Sequence, residues 1–287
     1  MKSRCILAGI DFGAGTEDIV SYAAVFSAAA KTSLKLLYVI DYLLTPPTYL
    51  MPYIEQERLR DEEELQRWTT VLEKQGIVTE GRVMMGRLHE SFVRAIEELS
   101  PELLVIGYQS HAFRSSSSER LIKSLPVPML VVRGKRSAPT SPPAVRKILC
   151  AVDFSDNSRK ALAKATYYAR IFSADLHVVH SIPSHTLKSR WALWDTDETI
   201  NTDQFDRQME AEAEAELTRM AHQAGGSIPT EVLHGNPAEM ICASADKGSF
   251  DLVVMGARGL SFLEGLLIGS TTEAVIRSCP CPVLIVH

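Results

Sequence analysis

The sequence predicts an α/β protein of two tandem doubly wound domains. Each is expected to be an open five-stranded parallel sheet in the order 3-2-1-4-5, with helices on both faces. Three observations carry this. The 287 residues suit two domains at the usual ~100–200 residues apiece. The chain repeats itself: Cys5–Asp11 (CILAGID) matches Lys147–Asp153 (KILCAVD), and each is followed by Phe. Within each copy, short apolar runs alternate with segments of helical periodicity, the pattern of parallel βαβ units with right-handed crossovers.

The repeat holds along its length. Asp11 and Asp153 are 142 positions apart, Glu102–Gly107 (ELLVIG) and Asp251–Gly256 (DLVVMG) are 149 apart, and Leu125–Val132 (LPVPMLVV) and Cys279–Val286 (CPCPVLIV) are 154 apart. The slow drift means a duplicated domain with a few residues gained in the second copy. Expected boundaries are residues 1–133, a linker at 134–145, and 146–287. Gly134–Pro143 (GKRSAPTSPP) is basic, proline-rich and without apolar periodicity, as a linker is.

In the second copy, Lys147–Val152 is a continuous apolar run, as expected of a strand covered on both faces. Asp156–Phe172 spaces Ala161, Ala165, Tyr168, Ala169 and Phe172 as one helical stripe. Leu176–His180 is the second strand. Asp203–Ala224 is helical and is stopped by Gly225–Gly226. Thr230–His234 is the third strand. Asn236-Pro-Ala-Glu239 then offers an N-cap, a proline at the first helical position and an early acidic residue. Leu252–Met255, a short helix at Thr271–Ser278 and the strand Val283–Val286 complete the copy. The first copy follows the same plan.

Composition excludes several classes. Hydrophobic residues are 46% and charged ones 23%, too apolar for disorder. A formal net charge of −5 gives no basic field for nucleic acid or anionic lipid. No run approaches the ~18 apolar residues of a membrane span, and the N-terminal apolar stretch is broken by Asp11, unlike a signal peptide. Five cysteines, Cys5, Cys150, Cys242, Cys279 and Cys281, sit mostly in apolar runs. They read as free thiols in a reducing, cytoplasmic setting. Cys279-Pro-Cys281-Pro has no second Cys/His pair to complete a metal set.

The most informative stretch is Gly256-Ala-Arg-Gly259, nine residues, then Gly269-Ser270-Thr271-Thr272-Glu273. It leaves the fourth strand and enters a helix. Glycines admit close backbone approach. Amide groups of Gly269 and Ser270 at a helix N-terminus favour an anion such as phosphate. In an open α/β sheet the ligand sits beyond the strands' C-terminal ends, where strand order reverses, so Asp153 is expected to face Gly256 across that crevice. Bland readings stand beside these: Ser270-x-x-Glu273 is also a capping box, and Asp153 a helix cap.

This G-x2-G-x9-G-S spacing resembles the universal stress protein family, whose five-stranded domain both copies fit. The resemblance implies that Asp153 and the backbone near Val152 and Ser181 hold an adenosine. It implies that Gly256, Arg258 and Gly259 line ribose and phosphates, and that Gly269, Ser270 and Thr271 contact the phosphates. The ligand is then ATP or another adenine nucleotide, with or without Mg2+. The implied role is a cytoplasmic stress-response module that signals by occupancy. A slow ATPase or self-phosphorylating enzyme using Ser270, Thr271 or the Ser115–Ser118 run, and a scaffold for a partner or apolar ligand, stand as alternatives. The GLLIGS run at 265–270 lacks a Walker lysine, and Gly13-Ala-Gly15 lacks the third glycine of a dinucleotide fingerprint.

The first copy departs from the motif. Ser110 replaces the second glycine, about five loop residues are missing before Leu125, and Ser115–Ser118 stands for GSTT. One competent nucleotide site is expected, in the second copy. Apolar segments Tyr42–Tyr53 and Trp191–Trp194 follow strand 2 in each copy, with no assigned role. The last strands begin after proline pairs and read as sheet edges. The resemblance implies that such strands pair domains, here as a pseudo-dimer within one chain, with a homodimer as a further option.

Overall fold

A computed structural model describes residues 4–41, 48–108, 117–133, 142–183, 202–259 and 268–287. Ser110, Ser115, Ser116, residues 134–141 of the linker, 42–47 of the first apolar segment, Trp191–Trp194 and 260–267 lie outside them. The chain divides into two compact units, Met1–Ala144 and Val145–His287.

The first unit runs β1 (Cys5–Ile10), α1 (Thr16–Ala30), β2 (Ser33–Asp41), a 3-10 turn (Thr48–Leu50), α2 (Met51–Lys74), β3 (Thr79–Gly86), α3 (Leu88–Leu99), β4 (Leu103–Tyr108), α4 (Ser117–Ser124) and β5 (Met129–Arg133). Its strands lie in the order β3-β2-β1-β4-β5, and every pairing is parallel. The second unit runs β6 (Lys147–Ala151), α5 (Asp156–Phe172), β7 (Asp175–Ile182), α6 (Thr202–Gln223), β8 (Thr230–His234), α7 (Pro237–Lys247), β9 (Leu252–Gly256), α8 (Ser270–Ser278) and β10 (Val283–Val286). Its order is β8-β7-β6-β9-β10, again all parallel. Each unit therefore has the predicted 3-2-1-4-5 sheet. Order reverses beside its first strand, the place where open α/β sheets accommodate ligands.

The cores follow from composition. Ile148, Leu149 and Cys150 on β6, and Val253 and Val254 on β9, are fully buried. Burial of each larger aliphatic side chain stabilises by ~1.5–3 kcal/mol. α5 turns Ala161, Leu162, Ala165 and Tyr168 inward. The alanines let the helix axis come close to β9, where it makes extensive contact. Ser155 caps α5 by accepting the Ser158 amide hydrogen, and Ser173 ends it in a left-handed conformation at φ 54°. Gly225 and Gly226 stop α6 at φ +126° and +142°, values that L side chains rarely adopt. Asn236 caps α7 through the amides of Ala238 and Glu239, with Pro237 in the first turn, as its sequence signature predicts.

Part of the first apolar segment forms the 3-10 turn and the start of α2, where Tyr49 and Tyr53 respectively stand largely exposed. All five cysteines are free thiols. Among the described residues, no helix is long and apolar enough to cross a membrane.

Candidate functional site

The predicted residues gather where β6, β7 and β9 end. Val152 follows β6, and its amide still donates to the Val179 carbonyl, extending the ladder by one step. Asp153 then turns the chain. Its Oδ1 accepts the Ser155 amide at 3.1 Å and the Ser155 hydroxyl at 2.6 Å. Asp153 is therefore not the helix cap that its bland reading offers. It positions the cap, Ser155, and leaves Oδ2 pointing elsewhere.

That second oxygen faces the glycine loop. A Cβ added to Gly259 would lie 2.2 Å from Asp153 Oδ2, so only glycine permits this approach while the carboxylate keeps its place. Gly256 does a different job. A Cβ there would meet Asn157 C at 3.1 Å and Ser158 N at 3.2 Å, the backbone that opens α5. Gly259 therefore lies against Asp153, and Gly256, at the neighbouring strand end, serves close packing of helix on strand.

The loop returns at Gly269, whose amide donates to the Ala257 carbonyl at 2.8 Å. This amide hydrogen is engaged in closing the loop. Gly269 is also the N-cap of α8, with an extended backbone and no side-chain cap. Ser270 is then the first helical residue, so the predicted capping box does not form, and Glu273 pairs with Arg277 instead. A helix whose first turn has no capping side chain presents amide hydrogens and the positive end of its dipole. Ser270 is exposed at this end and Thr271 is half-buried. Buried Thr272 ties the helix back to the strand, its hydroxyl donating to the Gly256 carbonyl at 2.9 Å.

Ser181 lies on β7, its hydroxyl donating to the Gly235 carbonyl at 3.3 Å. Beside it is a residue that motif reading passed over. His180 Nδ1 hydrogen-bonds the Val152 carbonyl at 2.8 Å, and its ring packs against Phe154 with centroids 4.3 Å apart. Phe154 itself sits at φ 66°, an uncommon conformation for a large side chain. The signal was available in the repeat, since His180 aligns with Tyr38, and Tyr38 stacks on Phe12 at 4.4 Å.

Two cations, Arg258 and Lys160, stand near this corner beside the Asp153 carboxylate. His287, which follows β10, is held down to about 4 by burial and then by the charges of Arg258 and Lys160. Arg258 is half-buried at the loop, and Lys160 donates to the His287 carbonyl at 3.3 Å. An anion is the ligand such a corner favours. The residues fit a phosphorylated nucleotide: a carboxylate stands against the glycine loop, a helix end has no side-chain cap, and two cations lie nearby. A separate groove of about 780 Å3 between α5 and α6, lined in part by Leu162, Tyr167, Arg170 and Met220, contains none of the predicted residues. Among the described residues, no group of three or more His, Cys, Asp or Glu has the arrangement of a metal site.

Comparison with known proteins agrees with the repeat. The model of the universal stress protein family matches twice, at residues 2–133 and 144–287. A universal stress protein of Methanocaldococcus jannaschii is 32% identical over 146 residues, covering 49% of this chain and 81% of its own. One from Thermus aquaticus is 34% identical over 148 residues, covering 50% of this chain and 98% of its own. Among solved structures, a universal stress protein from Archaeoglobus fulgidus superposes with a TM-score of 0.71 at 22% identity, covering 100% of this chain and 99% of its own, a likeness of fold.

Proposed function

The chain belongs to the universal stress protein family, and from that premise we propose that its second unit binds an adenine nucleotide such as ATP and acts as a nucleotide-dependent module in stress response. The observation that carries this reading is the pairing of Asp153 Oδ2 with Gly259 beside an N-terminus of α8 that no side chain caps. Asp153 accepts a hydrogen bond from a ribose hydroxyl or the base. Val152, Ser181 and the Phe154–His180 ring pair wall the nucleoside, with Gly256 holding the strand end close to α5. Ser270 and Thr271 supply amides and hydroxyls to the phosphates, Gly269 sets their direction, and Arg258 adds charge. The bound nucleotide supplies negative charge and a signal of occupancy, with or without Mg2+. Signalling by occupancy needs only that binding be selective and reversible.

Calorimetric titration of the full chain with ATP tests this. One site per chain is expected. Gly259→Ala weakens it at least about tenfold, equal to ~1.4 kcal/mol, with Tm little changed because its obstacle is one carboxylate. Asp153→Ala also weakens binding, while Asp11→Ala leaves it unchanged. Absence of binding, or equal damage from Asp11→Ala and Asp153→Ala, overturns the reading.

A further inference from the structure

Three of the five thiols meet at the far end of α8. Cys279 ends that helix, and its Sγ lies 3.7 Å from Cys281 Sγ. Cys242, from the middle of α7, is hydrogen-bonded to Cys279. Cys279 and Cys281 are buried, at 2% and 8% exposure, whereas Cys242 is half-buried. Sequence spacing alone does not reveal this group, because Cys242 is distant along the chain. α7 and α8 pack side by side and bring it in.

We infer that Cys242 and Cys279 form an oxidation site: a hydroperoxide converts this dithiol to a disulfide that staples α7 to the end of α8. Proximity and graded exposure assign the roles. Cys242 is the thiol that an oxidant reaches, so it attacks first. Its sulfur bonds the terminal peroxide oxygen, the O–O bond breaks, and the alcohol leaves with the Cys242 proton. The resulting sulfenic acid already has a thiol beside it. Cys279 sulfur attacks Cys242 sulfur, the S–S bond forms as S–O breaks, and hydroxide departs with the Cys279 proton as water. Two thiols and one hydroperoxide give one disulfide, one alcohol and one water.

Acidity agrees with this order. The Cys242 hydrogen bond pulls the Cys279 thiol down, but the Cys281 hydrogen bond and burial outweigh it and leave Cys279 at about 12. Such a thiol does not open the reaction, since the thiolate is the nucleophile. It is also a poor leaving group, so the bond reverses slowly once made. The staple joins two separate helices and encloses β9, the glycine loop and α8. A link between Cys279 and Cys281 would instead close a tight ring around Pro280.

Treating the full chain with hydrogen peroxide, blocking remaining thiols with iodoacetamide and digesting without reductant tests the assignment. The expected product is a cross-linked peptide pair holding Cys242 and Cys279, lighter by two hydrogens and separated by dithiothreitol. Cys281→Ser retains the cross-link and Cys242→Ser abolishes it. Oxidation raises Tm by about 5 °C through the closed loop. Linkage of Cys279 to Cys281, or sulfinic acid at Cys242 with no cross-link, overturns the inference. Mapping in the Cys281→Ser protein and the native chain decides the matter even if Cys242→Ser fails to fold.

Discussion

The two copies share a corner and surround it with different charged side chains. In each, the strand-1 Asp accepts an amide two residues on, and the following Phe takes a left-handed conformation under a ring from the second strand. Around Tyr38 in the first unit, burial and then Asp61, Glu57 and Asp11 push the phenol's pKa up. Around His287 in the second, burial and then Arg258 and Lys160 push the imidazole's down. In the repeat, Lys160 even aligns with Asp18. Duplication kept the backbone of the corner and changed the charged side chains placed around it. The same turn thus carries different side chains in the two units, which teaches that the fold alone does not make the site.

The comparison can be broken at several places. The largest effect is expected from pH. His287 is neutral when folded at pH values where an unfolded histidine is already charged. As its folded value is depressed, stability is fully present above about pH 6.5 and is lost as pH falls from there toward about 4. The loss reaches up to about 3 kcal/mol. Arg133 holds the matching position in the first unit and does not titrate in this range. Denaturant melts at stepped pH should therefore show His287→Gln flattening the acid limb of the second unit's transition; an unchanged limb counts against the contrast.

Next comes Gly256→Ala, whose methyl meets the immovable opening of α5 and costs about 2 kcal/mol with or without nucleotide. Gly107→Ala in the first unit meets only the tip of Ile19 at 2.8 Å, which can turn away, so about 1 kcal/mol or less is expected. Equal losses in urea would erase the distinction. Smallest is the cap. Ser155→Ala removes the side-chain cap of α5 and costs about 1 kcal/mol. The equivalent Gly13→Ala leaves α1, which has no side-chain cap, without a comparable loss. Thermal melts of the two variants give the difference directly.

Much of this was legible before any coordinates. The repeat and the apolar period gave both sheets, because a strand buried on both faces must be apolar throughout. Caps such as Asn236 and stops such as Gly225–Gly226 were legible because their physics is local. The glycine loop was recognised, but not the task of each glycine. Whether Gly256 or Gly259 faces Asp153 depends on how closely α5 lies on β9, a tertiary quantity. The capping box failed at Ser270 for a similar reason: the loop closes on the Ala257 carbonyl one residue earlier. His180 was marked only by its alignment with Tyr38 in the repeat, and its role shows once its ring is seen on Phe154. Cys242 joined its two partners only through the packing of α7 on α8.

Cys5 and Cys150 have a practical consequence. They sit on the first strand of each sheet, Cys5 at the start of β1 and Cys150 within β6, each sealed from solvent and each with its thiol pKa raised by burial. Neither reacts at an appreciable rate until its own sheet parts. Every unit thus carries an internal clock. The labelling kinetics of the two sulfurs, followed separately by mass, give the breathing rate of each half, and reveal whether filling one half slows the other.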